Sequence, residues 1–113
     1  MENIIFNELK LRGFNVDVGV VEYNYKDSEG KNRRSKLEVD FIANLGSKKF
    51  YIQSALNIDD EQKKEQETAS LNRIDDSFSK IVVVKDNIEP WQDDKGIQYI
   101  GIEQFLLEED WLR

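Results

Sequence analysis

At 113 residues and 39% hydrophobic content, the chain is sized for one globular domain with a modest core. It has neither cysteine nor histidine, which excludes disulfides, thiolate or imidazole metal sites and histidine-dependent triads; any metal would sit among oxygens, as magnesium, calcium or manganese do. A formal net charge of −7 argues against general nucleic-acid binding, which draws its affinity from lysine and arginine, while leaving room for a local basic patch.

Residues 1–12 predict a helix: Ile5 and Leu9 stack one turn apart, with Ile4 and Phe6 broadening the stripe. Gly13 is a natural stop, and Phe14 can pack back on Leu9. A helix at the very start suggests a domain cut from a longer protein, with a short stand-alone protein as the alternative. Residues 15–25 are β-branched and aromatic and predict a strand. A polar turn covers 26–32, a second strand about 34–43, a turn 44–47 and a third strand 49–55. Spacing this tight predicts an antiparallel meander.

Residues 59–74 predict a helix, capped by Asn57 or Asp59, with a core face limited to Ala69, Leu71 and Ile74. Lys80-Ile81-Val82-Val83-Val84 reads as a buried strand, parallel to the third because a helix crosses between them. A loop over 86–96 holds the only proline, Pro90. A short strand over 97–100 and a helix carrying Ile102, Phe105, Leu106 and Trp111 close the chain. The order αβββαββα predicts a single α+β domain over residues 1–113, a mixed central sheet flanked by helices. There is no apolar run near the ~20 residues of a membrane span and no signal-peptide pattern, so the expected location is cytoplasmic, with no membrane association.

Side chains alternate across a strand, so Glu38 and Asp40 share one face of the second strand, with Val39 and Phe41 turned inward together. Gln53 and Ala55 share one face of the third. An acid opposite an acidic or amide residue, with a lysine two positions on, is the constellation of metal-dependent phosphodiester cleavage. Here Ala55 stands at the lysine position. Gln53, polar in an apolar strand, needs a partner: a structural contact to Asp40 or the backbone, or a metal.

Order and motifs together resemble the PD-(D/E)XK nuclease-like superfamily, with its restriction-endonuclease-like core. The narrower resemblance is to the DUF4143-type C-terminal domain of predicted prokaryotic ATPases. It rests on Glu2-Asn3-Ile4-Ile5-Phe6-Asn7-Glu8-Leu9 with Arg12-Gly13-Phe14, on Glu38-Val39-Asp40-Phe41-Ile42 and on Tyr51-Ile52-Gln53. Asn72-Arg73-Ile74-Asp75-Asp76, Ser79-Lys80-Ile81-Val82-Val83 and Ile102-Glu103-Gln104-Phe105-Leu106-Leu107 extend it. Only the hairpin around 22–36 falls outside it.

The resemblance implies a site frame of Glu2, Asp40 and Gln53, with Glu38 beside it. Those four would be the ligands of Mg²⁺ or Mn²⁺ if the site survives. Lys63 or Lys64 are the candidates for a migrated lysine. With no lysine at 55 and an amide at 53, the resemblance implies a catalytically inactive accessory domain of a predicted ATPase, with no cofactor of its own. Its partner would be an upstream ATPase domain or another protein, and its task protein–protein contact or substrate selection. There is no G-x-x-x-x-G-K-[ST], so this chain has no Walker loop. The alternative is a divalent-metal nuclease or nucleic-acid-binding module. Arg33, Arg34 and Lys36 make the hairpin tip basic, either as a contact for an acidic partner or nucleic acid, or as charge that prevents edge pairing. Trp91 is either an exposed anchor for a partner or a cover for the core edge.

Overall fold

The computed structural model describes residues 1–74 and 76–108; Trp111, expected to pack the last helix, lies outside them. The described elements are α1 (Glu2–Leu11), β1 (Asn15–Lys26), β2 (Asn32–Leu45), β3 (Lys48–Ala55), α2 (Glu61–Asn72), β4 (Ser79–Val84), β5 (Trp91–Gln92), β6 (Ile97–Gly101) and α3 (Ile102–Leu107). The expected order holds, with the two-residue β5 added inside the loop expected over 86–96. The strands form one mixed sheet in the order β1-β2-β3-β4-β6-β5. β1, β2 and β3 are the antiparallel meander. β4 lies parallel to β3 across the α2 crossover, and β6 lies parallel to β4. No helix among the described residues is long and apolar enough to cross a membrane.

Alternating side chains split the core into two layers. Ile5, Leu9, Phe41, Phe50, Ile52, Ile81, Val83 and Phe105 pack on the side of α1 and α3. Val39, Tyr51, Leu71, Val82, Val84, Ile97 and Tyr99 pack on the side of α2. β4 is buried on both faces from Ile81 to Val84, which its unbroken apolar run requires of a central strand.

In α1, Ile5 and Leu9 are fully buried. Gly13, at φ 90, takes the left-handed turn that lets the Phe14 N–H reach Leu9 O at 3.1 Å. Phe14 then meets Phe50 edge-on at 5.8 Å. Ile4 and Phe6 do not broaden the buried stripe; they remain 49% and 40% exposed. The cap of α2 is Asp60 rather than Asn57 or Asp59: its Oδ1 accepts from Lys63 N–H at 2.7 Å. The buried face of that helix is Thr68, Ser70 and Leu71, with Thr68 Oγ1 donating to Lys64 O at 2.7 Å. Ala69 is only half-buried.

One irregularity positions the site. β1 and β2 pair Asp17 with Ile42 but Gly19 with Val39, so Asp40 and Phe41 together oppose Val18. This bulge turns Val39 toward α2 and Phe41 toward α1, where unbroken alternation would have put both on one side. Gly19 makes it possible. A Cβ there would come within 2.6 Å of Ile42 Cδ1 and 3.2 Å of Val39 Cβ.

Candidate functional site

A pocket of about 380 Å³ opens at the carboxyl end of β3, lined by Met1, Glu2, Asp40, Gln53, Ser54, Ala55, Leu56 and Glu67. Four elements supply its polar groups, α2 through Glu67. Asp40 comes from the bulge in β2, Gln53 and Ser54 from the end of β3, and Glu2 from the first turn of α1. The structure thus brings Glu2, Asp40 and Gln53 to one place. Glu38 is exposed, pairs with Val20 ahead of the bulge and is not among the lining residues.

The polar groups of the frame bind one another. Where the β2–β3 pairing stops at Phe41 and Ile52, the Asp40 N–H donates to Gln53 Oε1 at 3.0 Å. In return, Asp40 Oδ2 accepts from Ser54 N–H at 2.9 Å and from Ser54 Oγ at 2.8 Å. Beyond the pair of Phe41 and Ile52 the β2–β3 ladder stops, and these two side chains take up the backbone N–H groups of Asp40 and Ser54. Ser54 Oγ also lies 3.3 Å from Glu2 Oε1.

Glu67 is the residue that sequence reasoning missed. It stands one turn ahead of the buried Leu71, so helical spacing alone places it on the inward face of α2. Burial pushes its carboxyl above the usual range, and the charge of Asp40 pushes it further the same way. Three acids therefore share a pocket that no described lysine or arginine lines.

The lysine position lines the pocket but carries only a methyl group. Ala55 is 3% exposed and belongs to the core cluster of Leu71 and Val84. Neither candidate for a migrated lysine lines the pocket. Lys63 Nζ donates to Asn57 Oδ1 at 3.2 Å, and Lys64 Nζ lies 5.3 Å over the Trp91 ring.

A divalent ion needs several oxygens with lone pairs aimed at one point. Among the described residues, no three acidic side chains are arranged to hold an ion. The Gln53 oxygen and one Asp40 oxygen are turned to the chain's own donors. The residues present do not fit Mg²⁺ or Mn²⁺, in contrast to the ligand set that the resemblance implies.

The remaining expected residues lie elsewhere. Arg33 pairs with Asp27 at 2.8 Å and holds that carboxyl below the usual range. Arg34 and Lys36 are exposed on the hairpin, Lys36 directly opposite Glu22. Trp91 stacks on Tyr99 with ring centroids 4.2 Å apart and stays 42% exposed, so it both covers the core edge and presents a surface.

No family model matches this chain, and no solved structure matches it. It is similar to an uncharacterised protein of Haemophilus influenzae, 34% identical over 108 residues. That match takes in 96% of this chain but only 23% of the relative's length.

Proposed function

We propose that this chain is a nuclease-like domain without catalysis, whose site frame has become a structural brace. Its work is contact with another protein. On this reading it is an accessory unit of the DUF4143 type, serving substrate selection by a cytoplasmic prokaryotic ATPase. The observation that carries the proposal is the mutual bonding of Asp40, Gln53 and Ser54, beside an Ala55 that packs with the core and offers the pocket no amine. A catalytic frame needs its acids aimed at a substrate-bearing ion and a base or orienter within reach. Here the acid and the amide are aimed at backbone N–H groups. The match to a quarter-length stretch of a longer bacterial protein supports a role as one part of a larger polypeptide.

The test is a magnesium and manganese titration followed through backbone amide NMR shifts, with parallel cleavage assays on labelled DNA and RNA. No saturable shifts at Glu2, Asp40 or Gln53 up to millimolar metal, and no cleavage, are expected. Metal-dependent cleavage abolished by Asp40→Ala would overturn the proposal in favour of a nuclease.

A further inference from the structure

The hairpin of β1 and β2 is an arm that the rest of the sheet does not flank. β3 pairs with β2 only over residues 41–45, so residues 19–26 and 32–39 pair with each other and with no further strand. β1 is the outermost strand of the sheet. Among the described residues, no backbone group of residues 15–26 bonds outside the ladder with β2. The outer row of N–H and C=O groups is therefore open along the whole 12-residue strand, a template for pairing with another strand.

Alternation sorts the side chains of the arm. Val21 packs with the core on the α2 side, so Tyr23 and Tyr25 stand on that face and Glu22, Asn24 and Lys26 on the other. The two tyrosine rings lie 6.0 Å apart, and the Arg73 guanidinium lies 4.0 Å over the Tyr23 ring. Tyr25 stays 45% exposed. On the opposite face Glu22 lies across from Lys36, whereas Lys26 lies across from the uncharged Asn32 and forms no ion pair among the described residues.

Glu22-Tyr23-Asn24-Tyr25-Lys26 is its own complement when it runs antiparallel to a second copy of itself. A two-fold axis at Asn24 sets Glu22 opposite Lys26 of the second copy, Tyr23 opposite Tyr25, and Asn24 opposite itself. Opposed residues share a face and lie close enough to interact. Each Glu22 then sits between its own Lys36 and the Lys26 of the other copy. The four tyrosines form one cluster, with an Arg73 at each end. Neighbouring registers lose this match: an axis at Glu22 sets two glutamates against each other, and an axis at Tyr23 leaves Glu22 opposite Asn24 and Lys26 opposite Val20.

We infer that this chain self-associates as a two-fold dimer through the outer edge of β1, with Asn24 at the axis. A purely acidic or purely basic strand from another protein would repel one of Glu22 and Lys26; a second copy satisfies both. The paired segment is short, so the dimer is weak and exchanging. It lies across β2 from the acidic pocket, and the inference stands whatever that pocket does.

The experiment is sedimentation equilibrium of the whole chain from about 10 μM to about 1 mM, with backbone amide NMR shifts recorded over the same series. A mass rising from monomer toward dimer, with saturable shifts centred on residues 22–26, is expected. Glu22→Lys alone and Lys26→Glu alone each set like charges opposite one another twice, and each should weaken dimerisation about tenfold or more. An equimolar mixture of the two variants restores both opposite-charge pairs and should form a dimer of one copy of each, about tenfold tighter than either variant forms alone. Both side chains are exposed, and unchanged shifts outside the arm check the fold. A mass that stays monomeric throughout, single variants that associate as wild type does, or a mixture no tighter than its parts would overturn the inference. Shifts centred on Trp91 would overturn it in favour of the opposite edge of the sheet.

Discussion

Asp40 and Asp93 occupy different parts of the sheet, one at the β2 bulge and one in the turn between β5 and β6, and each commits its carboxylate to the chain itself. Asp40 accepts from Ser54 N–H and Oγ. Asp93 accepts from Lys95 N–H, Ile97 N–H and the Tyr99 hydroxyl at 2.8 to 3.0 Å. One stands where a nuclease-like frame would place a metal ligand; the other belongs to an ordinary tight turn. Their bonding is alike. What separates them is the neighbourhood: Asp40 shares its pocket with Glu2 and Glu67, whereas Asp93 has the fully buried Tyr99 as partner and feels the charge of Lys64. Burial pushes the Asp93 carboxyl up. The bonds from Tyr99, Ile97 and Lys95, with Lys64, outweigh that and leave it below the usual range. A site residue is thus identified by what it is left free to do, and Asp40 is left with little.

The largest effect is expected from Asp93→Ala. It strands the Tyr99 hydroxyl and two backbone donors, at a cost of about 3 kcal/mol in urea unfolding. Because the folded pKa of Asp93 is depressed, its contribution is present above the ordinary carboxyl pKa of about 4 and fades as pH falls through the folded value. The difference between wild type and variant should shrink in acid. Asp40→Ala is expected to cost about 2 kcal/mol, less because water at the pocket rim can reach Ser54. A variant at 40 as stable as wild type would mean that the bonds to Ser54 brace nothing, and the likeness to Asp93 would fail. Gln53→Glu keeps the acceptor for the Asp40 N–H but adds a charge beside Asp40 and Glu67. A loss of about 1 kcal/mol, recovered in high salt, is expected. If magnesium restored that loss selectively, the frame would be one residue away from a metal site.

Much of the fold was legible because its signals are local. The β4 run, the i, i+4 pair in α1, Gly13 and the α2 crossover each state their structure within a few residues. The bulge was not legible as such. Val39 and Phe41 read as one face by strict alternation, and only Gly19, on the neighbouring strand, hints that the strands approach too closely for regular pairing. The frame residues Glu2, Asp40 and Gln53 could be gathered in advance, and so could a contact of Gln53 to Asp40 or the backbone, which is the bond from the Asp40 N–H; the part played by Ser54 could not. Glu67 was hidden by composition, since α2 is polar almost throughout and its buried face includes Thr68 and Ser70. Lys64, like Lys63, was a candidate site lysine only through the resemblance. Its side chain goes instead to Trp91 and Tyr99, a contact that depends on β5, which the sequence disguised as loop.

Glu67 gives the smallest effect and the sharpest contrast with Asp93, because its sign is opposite. Burial and then the Asp40 charge hold its folded pKa above the unfolded value. Its contribution is therefore most favourable below the unfolded pKa and is lost as pH rises through the folded one. At neutral pH the ionised Glu67 costs stability. Glu67→Gln should stabilise the domain by about 0.5 kcal/mol, after allowance for solvent screening at a partly exposed group. The gain should disappear below about pH 4, where the native glutamate is itself protonated. In the background of Asp40→Asn the gain should be smaller, since one of its two causes has been removed. A gain that is unchanged there would assign the shift to burial alone and remove the electrostatic link between α2 and the bulge. A loss of stability at neutral pH would mean that the ionised Glu67 is held by a cation from another molecule, and would point to a basic partner at this pocket.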